Sequence, residues 1–192
     1  MKQTGIVFVH VPRAAGTSIS HLLYGRFLGH FPLAALEAVG DPETLALPRL
    51  AVVRNPWDRL ASAYRFAAGG GGGGQFAARS AANVTRSVVS AGSFERFVKD
   101  WLPRRHLNRL DGLFRPQTYY LCGAAGGLPF DHLGRIEDLH QTELWLGDRL
   151  GRTIALPHSN AASDHIATVR YDAEMIDIVA RLYAADIALL GY

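Results

Sequence analysis

The sequence predicts an α/β fold with a mostly parallel central sheet flanked by helices, and three observations support this. Gly5–Val11 is a continuous apolar run, which is typical of a strand buried on both faces of a parallel sheet. Leu50–Val53 is a second apolar strand, and His132–Ile136 is a third strand candidate. Segments with helical spacing follow each of these strands, and such alternation indicates a parallel sheet.

The helices are predicted from apolar spacing and from capping residues. Thr17–Leu28 carries apolar residues at the spacing of one helix face. Asn55 and Ser93 are suited to cap the helices that follow them. The other predicted elements are helices at Pro32–Val39, Pro56–Ala68, Phe94–Trp101, Asp138–Leu150 and Asp172–Leu190, a short extended or helical piece at Gln117–Leu121, and an extended piece at Thr153–Leu156.

Composition bounds the class of protein. The chain has 192 residues, of which 48% are apolar and 19% charged, as expected of one globular domain over residues 1–192. Six consecutive glycines lie near the start of residues 69–92, which are therefore predicted to form a flexible loop. The formal net charge of +3 suits a small anionic ligand and is too weak to argue for a nucleic-acid partner.

Several classes of site are disfavoured by the sequence. Cys122 is the only cysteine, so neither a disulfide framework nor a cysteine metal site is expected. The eight histidines show no metal-ligand spacing, and no metal is predicted. The chain opens without a leader pattern, and no apolar run reaches the length of a membrane span. The cytoplasm is the expected location, and the oligomeric state is left open.

The residues after the first predicted strand carry the strongest functional signal. His10–Ser18 reads His-Val-Pro-Arg-Ala-Ala-Gly-Thr-Ser, a turn of mostly small residues that opens a helix. Such a turn points backbone N–H groups at one spot beside the positive end of a helix dipole, which predicts a phosphate site. Because the turn lacks the Gly-Lys-Ser/Thr ending of a Walker loop, ordinary ATP or GTP chemistry is not the first hypothesis.

A second anion-binding group is predicted after the second strand. Arg54 follows that strand, and Ser62 lies two turns into the next helix. Ligands of open parallel sheets bind beyond the carboxyl ends of the strands, so Arg54 would stand beside the first turn if the two strands are neighbours. A guanidinium and a hydroxyl on a second anion favour a ligand with two separate phosphates. A structural ion pair for Arg54 and an inert helix serine at Ser62 are the alternatives.

These segments resemble a known family. His10–Ser18 is similar to the 5′-phosphosulfate loop of the sulfotransferases that use 3′-phosphoadenosine 5′-phosphosulfate (PAPS), and Val53–Tyr64 resembles their 3′-phosphate motif. The most similar branch holds the carbohydrate sulfotransferases of the heparan sulfate 2-O type. Shorter supporting pieces are Arg115–Gln117, Gly134–Leu139, His158–Ser163 and the ending Tyr183–Tyr192. The resemblance therefore covers nearly the whole chain outside the glycine-rich loop.

The resemblance implies a P-loop-NTPase-like three-layer fold and transfer of a sulfuryl group from PAPS as co-substrate. Arg54 and Ser62 would hold the 3′-phosphate. The family usually has lysine at the position of Arg13, where arginine keeps the positive charge but has a bulkier, planar head. The 5′-phosphosulfate would be held by Arg13, Ala14, Ala15, Gly16, Thr17 and Ser18.

An acceptor must lose a proton as it attacks sulfur, and a side chain that titrates near neutrality suits that task. His30 is the candidate base, because the related carbohydrate enzymes carry a histidine in a similar Gly-His segment. The alternative is that His30 only ends the first helix, where a cation is favourable. Glu37 is a fallback base. His10 is interpreted as lying inside the strand, where packing or orienting the loop explains it.

The leading hypothesis is a sulfotransferase that acts on a hydroxyl of a carbohydrate or glycolipid, with Arg13 and His30 as catalytic residues and no metal. Its partners would be PAPS and a small-molecule or glycan acceptor, with no nucleic acid. One alternative is a module that binds PAPS or 3′,5′-ADP with weak or no turnover. A less favoured alternative is a nucleotide kinase with a degenerate phosphate loop. The resemblance also implies that a loop around His158–His165 lies near the nucleotide.

Overall fold

A computed structural model describes residues 1–69, 88, 90–156 and 169–192. The chain forms two compact units, the first from Met1–Arg54 and Gln117–His158, the second from Asn55–Pro116 and Ser159–Tyr192. Most of the predicted glycine-rich loop and the predicted loop around His158–His165 lie outside the described residues. The organisation of 1–192 as a single domain stays a prediction.

The first unit holds the sheet. Strands β1 (Val7–Val9), β2 (Arg49–Val53) and β3 (His132–Arg135) pair in the order β1-β2-β3, and both pairings are parallel. Phe8 pairs with Leu50, and Leu50 pairs with His132. The predicted class, α/β with a parallel sheet, is confirmed.

The helices fall mostly where capping and spacing predict them. Asn55 caps α4, since its side chain accepts hydrogen bonds from the backbone N–H groups of Trp57 and Asp58 at 3.1 and 3.3 Å. In chain order the described helices are α1 (Gly16–Tyr24), α2 (Leu33–Val39), α3 (Pro42–Leu45), α4 (Pro56–Ala68), α5 (Phe94–Arg96), α6 (Thr118–Leu121), α7 (Leu139–Leu150), α8 (Ala173–Leu182) and α9 (Ala184–Leu190). A π-helix at Phe97–Trp101 continues α5, and 3-10 turns lie at Leu102–Arg104, Leu107–Arg109 and Gly112–Phe114.

Three predicted elements differ in the structure. The first helix ends at Tyr24 rather than Leu28, because Gly25 takes a left-handed conformation with φ 68° and closes the helix by donating to the carbonyl of His21. The predicted helix Asp172–Leu190 is two helices that break at Tyr183. The first strand covers only Val7–Val9 rather than Gly5–Val11.

The core of the first unit lies between the sheet and two helices. Ile19 and Leu23 of α1 and Leu139 and Leu146 of α7 are buried in one cluster with strand residues such as Leu50. Tyr24 lies at the edge of β1, where its hydroxyl accepts from the N–H of Phe8 at 2.9 Å and donates to the carbonyl of Ile6 at 3.0 Å. This side chain therefore satisfies two strand-edge groups, and burial raises its pKa to about 12.

The second unit has its own core around a buried arginine. Arg59 of α4 is 2% exposed and donates to the carbonyls of Leu113 and Arg115. Its guanidinium lies 5.8 Å from the ring centroid of Tyr183, whose hydroxyl donates to the carbonyl of Phe114 at 2.8 Å. The anchored Tyr183 lies at the break between α8 and α9, which spacing alone does not reveal.

Replacing Asn55 with alanine is expected to lower the free energy of unfolding by about 1 kcal/mol, because two N–H groups of α4 lose their acceptor. Asn55→Asp keeps an acceptor at the same position and is the matched control, with stability close to that of the native chain. Urea titration of the ligand-free protein measures both. Equal losses in the two variants would contradict the capping role.

Within the described residues, no helix combines the length and the apolar character needed to cross a membrane.

Candidate functional site

The turn after β1 has the backbone of an anion site. Arg13 and Ala15 are the described non-glycine residues with positive φ, at 68° and 58°. The sign of φ therefore alternates along the turn, an arrangement that points successive N–H groups to one side. Ala15 occupies the N-cap position of α1, and the first turn of that helix carries no acidic residue. The predicted phosphate turn is thus followed directly by a helix N-terminus, with α1 beginning at Gly16.

The space available at position 16 explains why this residue is a glycine. A Cβ at this position would lie 1.8 Å from Cδ2 and 2.1 Å from Nε2 of the His10 ring. Such distances are far below van der Waals contact, so no other residue fits while that ring is in place. The glycine of the turn is therefore required by a neighbouring side chain, whether or not a ligand is bound.

Arg13 and Arg54 bring two positive charges to the ends of neighbouring strands. Arg54 directly follows β2, and its Nη1 donates to the carbonyl of Arg13 at 3.4 Å. The pKa of the Arg13 guanidinium is lowered, first by burial and second by the positive charge of Arg54. Because like charges repel, an anion bound between them would be favoured. The pairing of β1 with β2 confirms the neighbouring strands on which this arrangement depends.

Gln117 is a residue of this site whose role the sequence did not reveal. Its Oε1 accepts from the backbone N–H of Arg54 at 2.9 Å, and its Nε2 donates to the backbone carbonyl of Arg54 at 2.7 Å. Gln117 is fully buried, so these bonds are shielded from water. The side chain fixes the backbone of Arg54 where the chain leaves the sheet. Its place in the Arg-Pro-Gln piece was the only signal available.

His30 is exposed and lies next to the residue that begins the turn. Its Nδ1 is 3.0 Å from the carbonyl oxygen of His10, and the two ring centroids are 4.2 Å apart. A carbonyl only accepts, so Nδ1 carries the proton and the neutral ring keeps its lone pair on Nε2. The alternative that His30 merely ends the first helix is wrong, because that helix ends at Tyr24.

The prediction that His10 lies inside the first strand is wrong, because β1 ends at Val9 and His10 follows it directly. The side chain is 5% exposed, and its Nδ1 has no hydrogen-bond partner in the described part of the chain. Burial first, and the charge of His30 second, lower its pKa to about 2. His10 is therefore neutral at physiological pH.

Two further predicted site residues, Glu37 and Ser62, lie in different units of the chain. Glu37, the fallback base, forms an ion pair with Arg49 at 2.8 Å and accepts from the N–H of Ala124 at 2.7 Å, which gives it a bracing role. Ser62 belongs to the second unit, where it is 4% exposed within α4. Its assignment to a 3′-phosphate stays a prediction.

Among the described residues, no group of three or more His, Cys, Asp and Glu side chains is arranged to hold a metal ion.

Comparison with known proteins places these features in a family. A family model described as "Sulfotransferase family" matches residues 1–192, which is the whole chain. No curated protein and no solved structure matches the chain. The match is consistent with the parallel α/β sheet described above. This chain belongs to the sulfotransferase family.

Proposed function

We propose that this sulfotransferase moves the sulfuryl group of PAPS to a hydroxyl of a carbohydrate or glycolipid acceptor and releases 3′,5′-ADP. The observation that carries the proposal is the contact of Arg54 with the turn, in which its guanidinium donates to the backbone carbonyl of Arg13 just before the N-terminus of α1. A donor with two separate anionic groups matches two cationic side chains and a set of backbone N–H groups.

The first anionic group would be held by the turn. The N–H groups from Ala14 to Ser18 and the positive end of α1 would bind the 5′-phosphosulfate, beside Arg13. Arg54 would bind the 3′-phosphate, with its backbone already fixed by Gln117. Because Gln117 clamps the backbone of Arg54 through these two bonds, the main chain there needs little rearrangement on binding, which lowers the entropic cost of association.

The proposed chemistry divides between Arg13 and His30. PAPS supplies a sulfuryl group for in-line displacement, in which the acceptor oxygen bonds to sulfur as the bond from sulfur to the phosphate oxygen breaks. His30 takes the acceptor proton at Nε2, the nitrogen that keeps the lone pair while Nδ1 donates to His10. Arg13 stabilises the negative charge that develops on the leaving phosphate.

The surroundings of His30 support a sugar-bearing acceptor. Phe27 is 43% exposed, and its ring centroid lies 5.2 Å from that of His30. Phe31 is 55% exposed and follows His30 in the chain. Exposed aromatic rings beside a polar group suit the apolar C–H face of a pyranose, whose hydroxyls remain available for proton transfer.

Ligand-induced stabilisation tests the choice of nucleotide. We expect 3′,5′-ADP to raise the melting temperature more than ATP does, with or without Mg²⁺, because ATP has no 3′-phosphate for Arg54. At a ligand concentration 100 times Kd, binding adds about 2.7 kcal/mol of stability, which is readily measured by calorimetry. Equal shifts, or none, would contradict the proposal. A shift seen only with ATP and Mg²⁺ would favour a kinase.

A second candidate is a protein that binds PAPS or 3′,5′-ADP with weak or no turnover. Arg13 favours it, because the family usually has lysine there and a guanidinium does not readily donate a proton. Transfer of labelled sulfate from PAPS to any member of a broad glycan panel would exclude this candidate. Nucleotide binding without transfer to any member would favour it.

A further inference from the structure

We propose that His10 is a positioning residue, whose ring sets the spacing between the phosphate-binding turn and the base His30. The inference rests on the proposed function, because it concerns how the donor and the base are aligned. His10 contacts both partners: its ring fills the space beside Gly16, and its backbone carbonyl and ring contact His30.

On the side of the turn, the ring of His10 occupies the space that a side chain at position 16 would need. An ideal Cβ on Gly16 would meet three atoms of the imidazole, at 1.8, 2.1 and 2.6 Å. The Cα of Gly16 therefore lies directly against the ring. Since Gly16 is the first residue of α1, the position of the ring sets how closely the helix N-terminus approaches the end of β1.

On the side of the base, His10 fixes both the place and the tautomer of His30. The bond of 3.0 Å from His30 Nδ1 to the His10 carbonyl keeps the lone pair on Nε2. The rings contact each other at 4.2 Å between centroids, with Phe27 at 5.3 Å from His10 on another side. His30 is exposed, so these contacts limit how far its ring can rotate or shift.

Packing alone does not explain a histidine at this position. Nδ1 of His10 is buried and finds no hydrogen-bond partner among the residues that the structure describes, and a buried polar atom without a hydrogen bond costs about 1–3 kcal/mol. A purely apolar side chain would avoid that cost, and so the residue warrants a functional explanation. The neutral ring also adds no positive charge beside His30 as that residue takes up a proton, which a lysine or arginine there would do.

A double-mutant cycle of His10→Ala and Gly16→Ala tests the proposal, with binding of 3′,5′-ADP and the rate of sulfuryl transfer measured for each variant. Gly16→Ala alone is expected to weaken 3′,5′-ADP binding by about 10-fold or more, because the added methyl group must displace the helix N-terminus, and losing one hydrogen bond to a charged group has an effect of about that size. Adding His10→Ala removes the clash and restores affinity to within about 3-fold of that of His10→Ala alone. His140→Ala, whose side chain is 70% exposed, is the control.

The rate constants separate positioning from mere packing. The His10→Ala variant and the double variant are both expected to show a kcat about 10- to 100-fold below that of the native chain, because His30 is no longer held in line. Their KM for PAPS should change far less. Nitrogen-15 spectra of the His30 ring give a readout besides activity. We expect one neutral tautomer in the native chain and a mixture of both in His10→Ala, because that variant keeps the backbone carbonyl but loses the ring that packs His30 against it.

The outcomes are distinguishable. Additive effects in the binding cycle, or a His30 spectrum and a kcat that His10→Ala leaves unchanged, would overturn the inference. Absence of sulfuryl transfer in the native chain would instead reject the proposed function. In that case the binding cycle and the His30 spectrum still decide whether His10 links the turn to His30. Melting temperatures of all variants show whether each is folded.

Discussion

Replacing His30 with alanine is expected to lower kcat by about 10²- to 10⁴-fold, the usual range for loss of a general base. Without His30, no general base takes the proton from the attacking hydroxyl of the acceptor substrate. His30 is exposed, so the substitution removes no buried contact surface of the size that would unfold the chain. The affinity for 3′,5′-ADP should change by less than about 3-fold, since the groups that hold phosphate lie elsewhere. Steady-state kinetics and calorimetric titration measure the two quantities.

His140→Ala serves as the matched control for His30→Ala, because His140 is an exposed histidine of the same unit. Its kcat should equal that of the native chain. If His30→Ala has the same kcat as His140→Ala and the native chain, His30 is not the base. Adding imidazole should partly restore the rate of His30→Ala, which a structural defect would not allow.

Replacing Arg13 with alanine is expected to lower kcat by about 10²- to 10³-fold, the loss typical of removing one group that stabilises developing charge. Arg13→Lys is the matched variant. Both alanine and lysine must take the same positive φ of 68° that arginine takes here, so backbone strain is equal in the two variants. The difference between them therefore reports the positive head group alone.

Arg13→Lys is expected to keep native activity or exceed it, because an ammonium is compact and able to donate a proton toward a leaving oxygen. Transfer of labelled sulfate from PAPS measures both variants at saturating acceptor. Arg152→Ala, an exposed arginine of the same unit, is the control. Native kcat in Arg13→Ala would show that this residue has no part in the reaction.

The elements with strong local signals were predictable from the sequence. Helix α4 has the predicted bounds, Pro56–Ala68. Its start was predictable because Asn55 is a favourable N-cap residue and Pro56 a favourable first helical residue. The turn after β1 and the helix it opens were also predictable, since small residues and apolar spacing are local properties. Arg54 was placed beside the turn once two apolar strands were assumed to be neighbours, which the pairing of β1 with β2 confirms.

The contacts that shape the site are long-range, and the sequence did not reveal them. Gln117 reaches Arg54 across 63 positions, and no local pattern links the two. The reason for Gly16 depends on a ring six positions earlier that folds back over it. At the break between α8 and α9, Tyr183 likewise donates to the carbonyl of Phe114, a residue far away in the chain, and no glycine or proline marks the position. Tertiary partners thus decided what local propensity did not.

The clamp between Gln117 and Arg54 also bears on the order of folding. Its two hydrogen bonds close a segment of 63 positions, so the entropy of that closure is lost before either bond is gained. During synthesis, the backbone of Arg54 stays unfixed until Gln117 has emerged, and β3 follows only at His132. The residues of the turn and of α1 therefore emerge well before Gln117, and Arg54 acquires its fixed backbone only once that glutamine has been made.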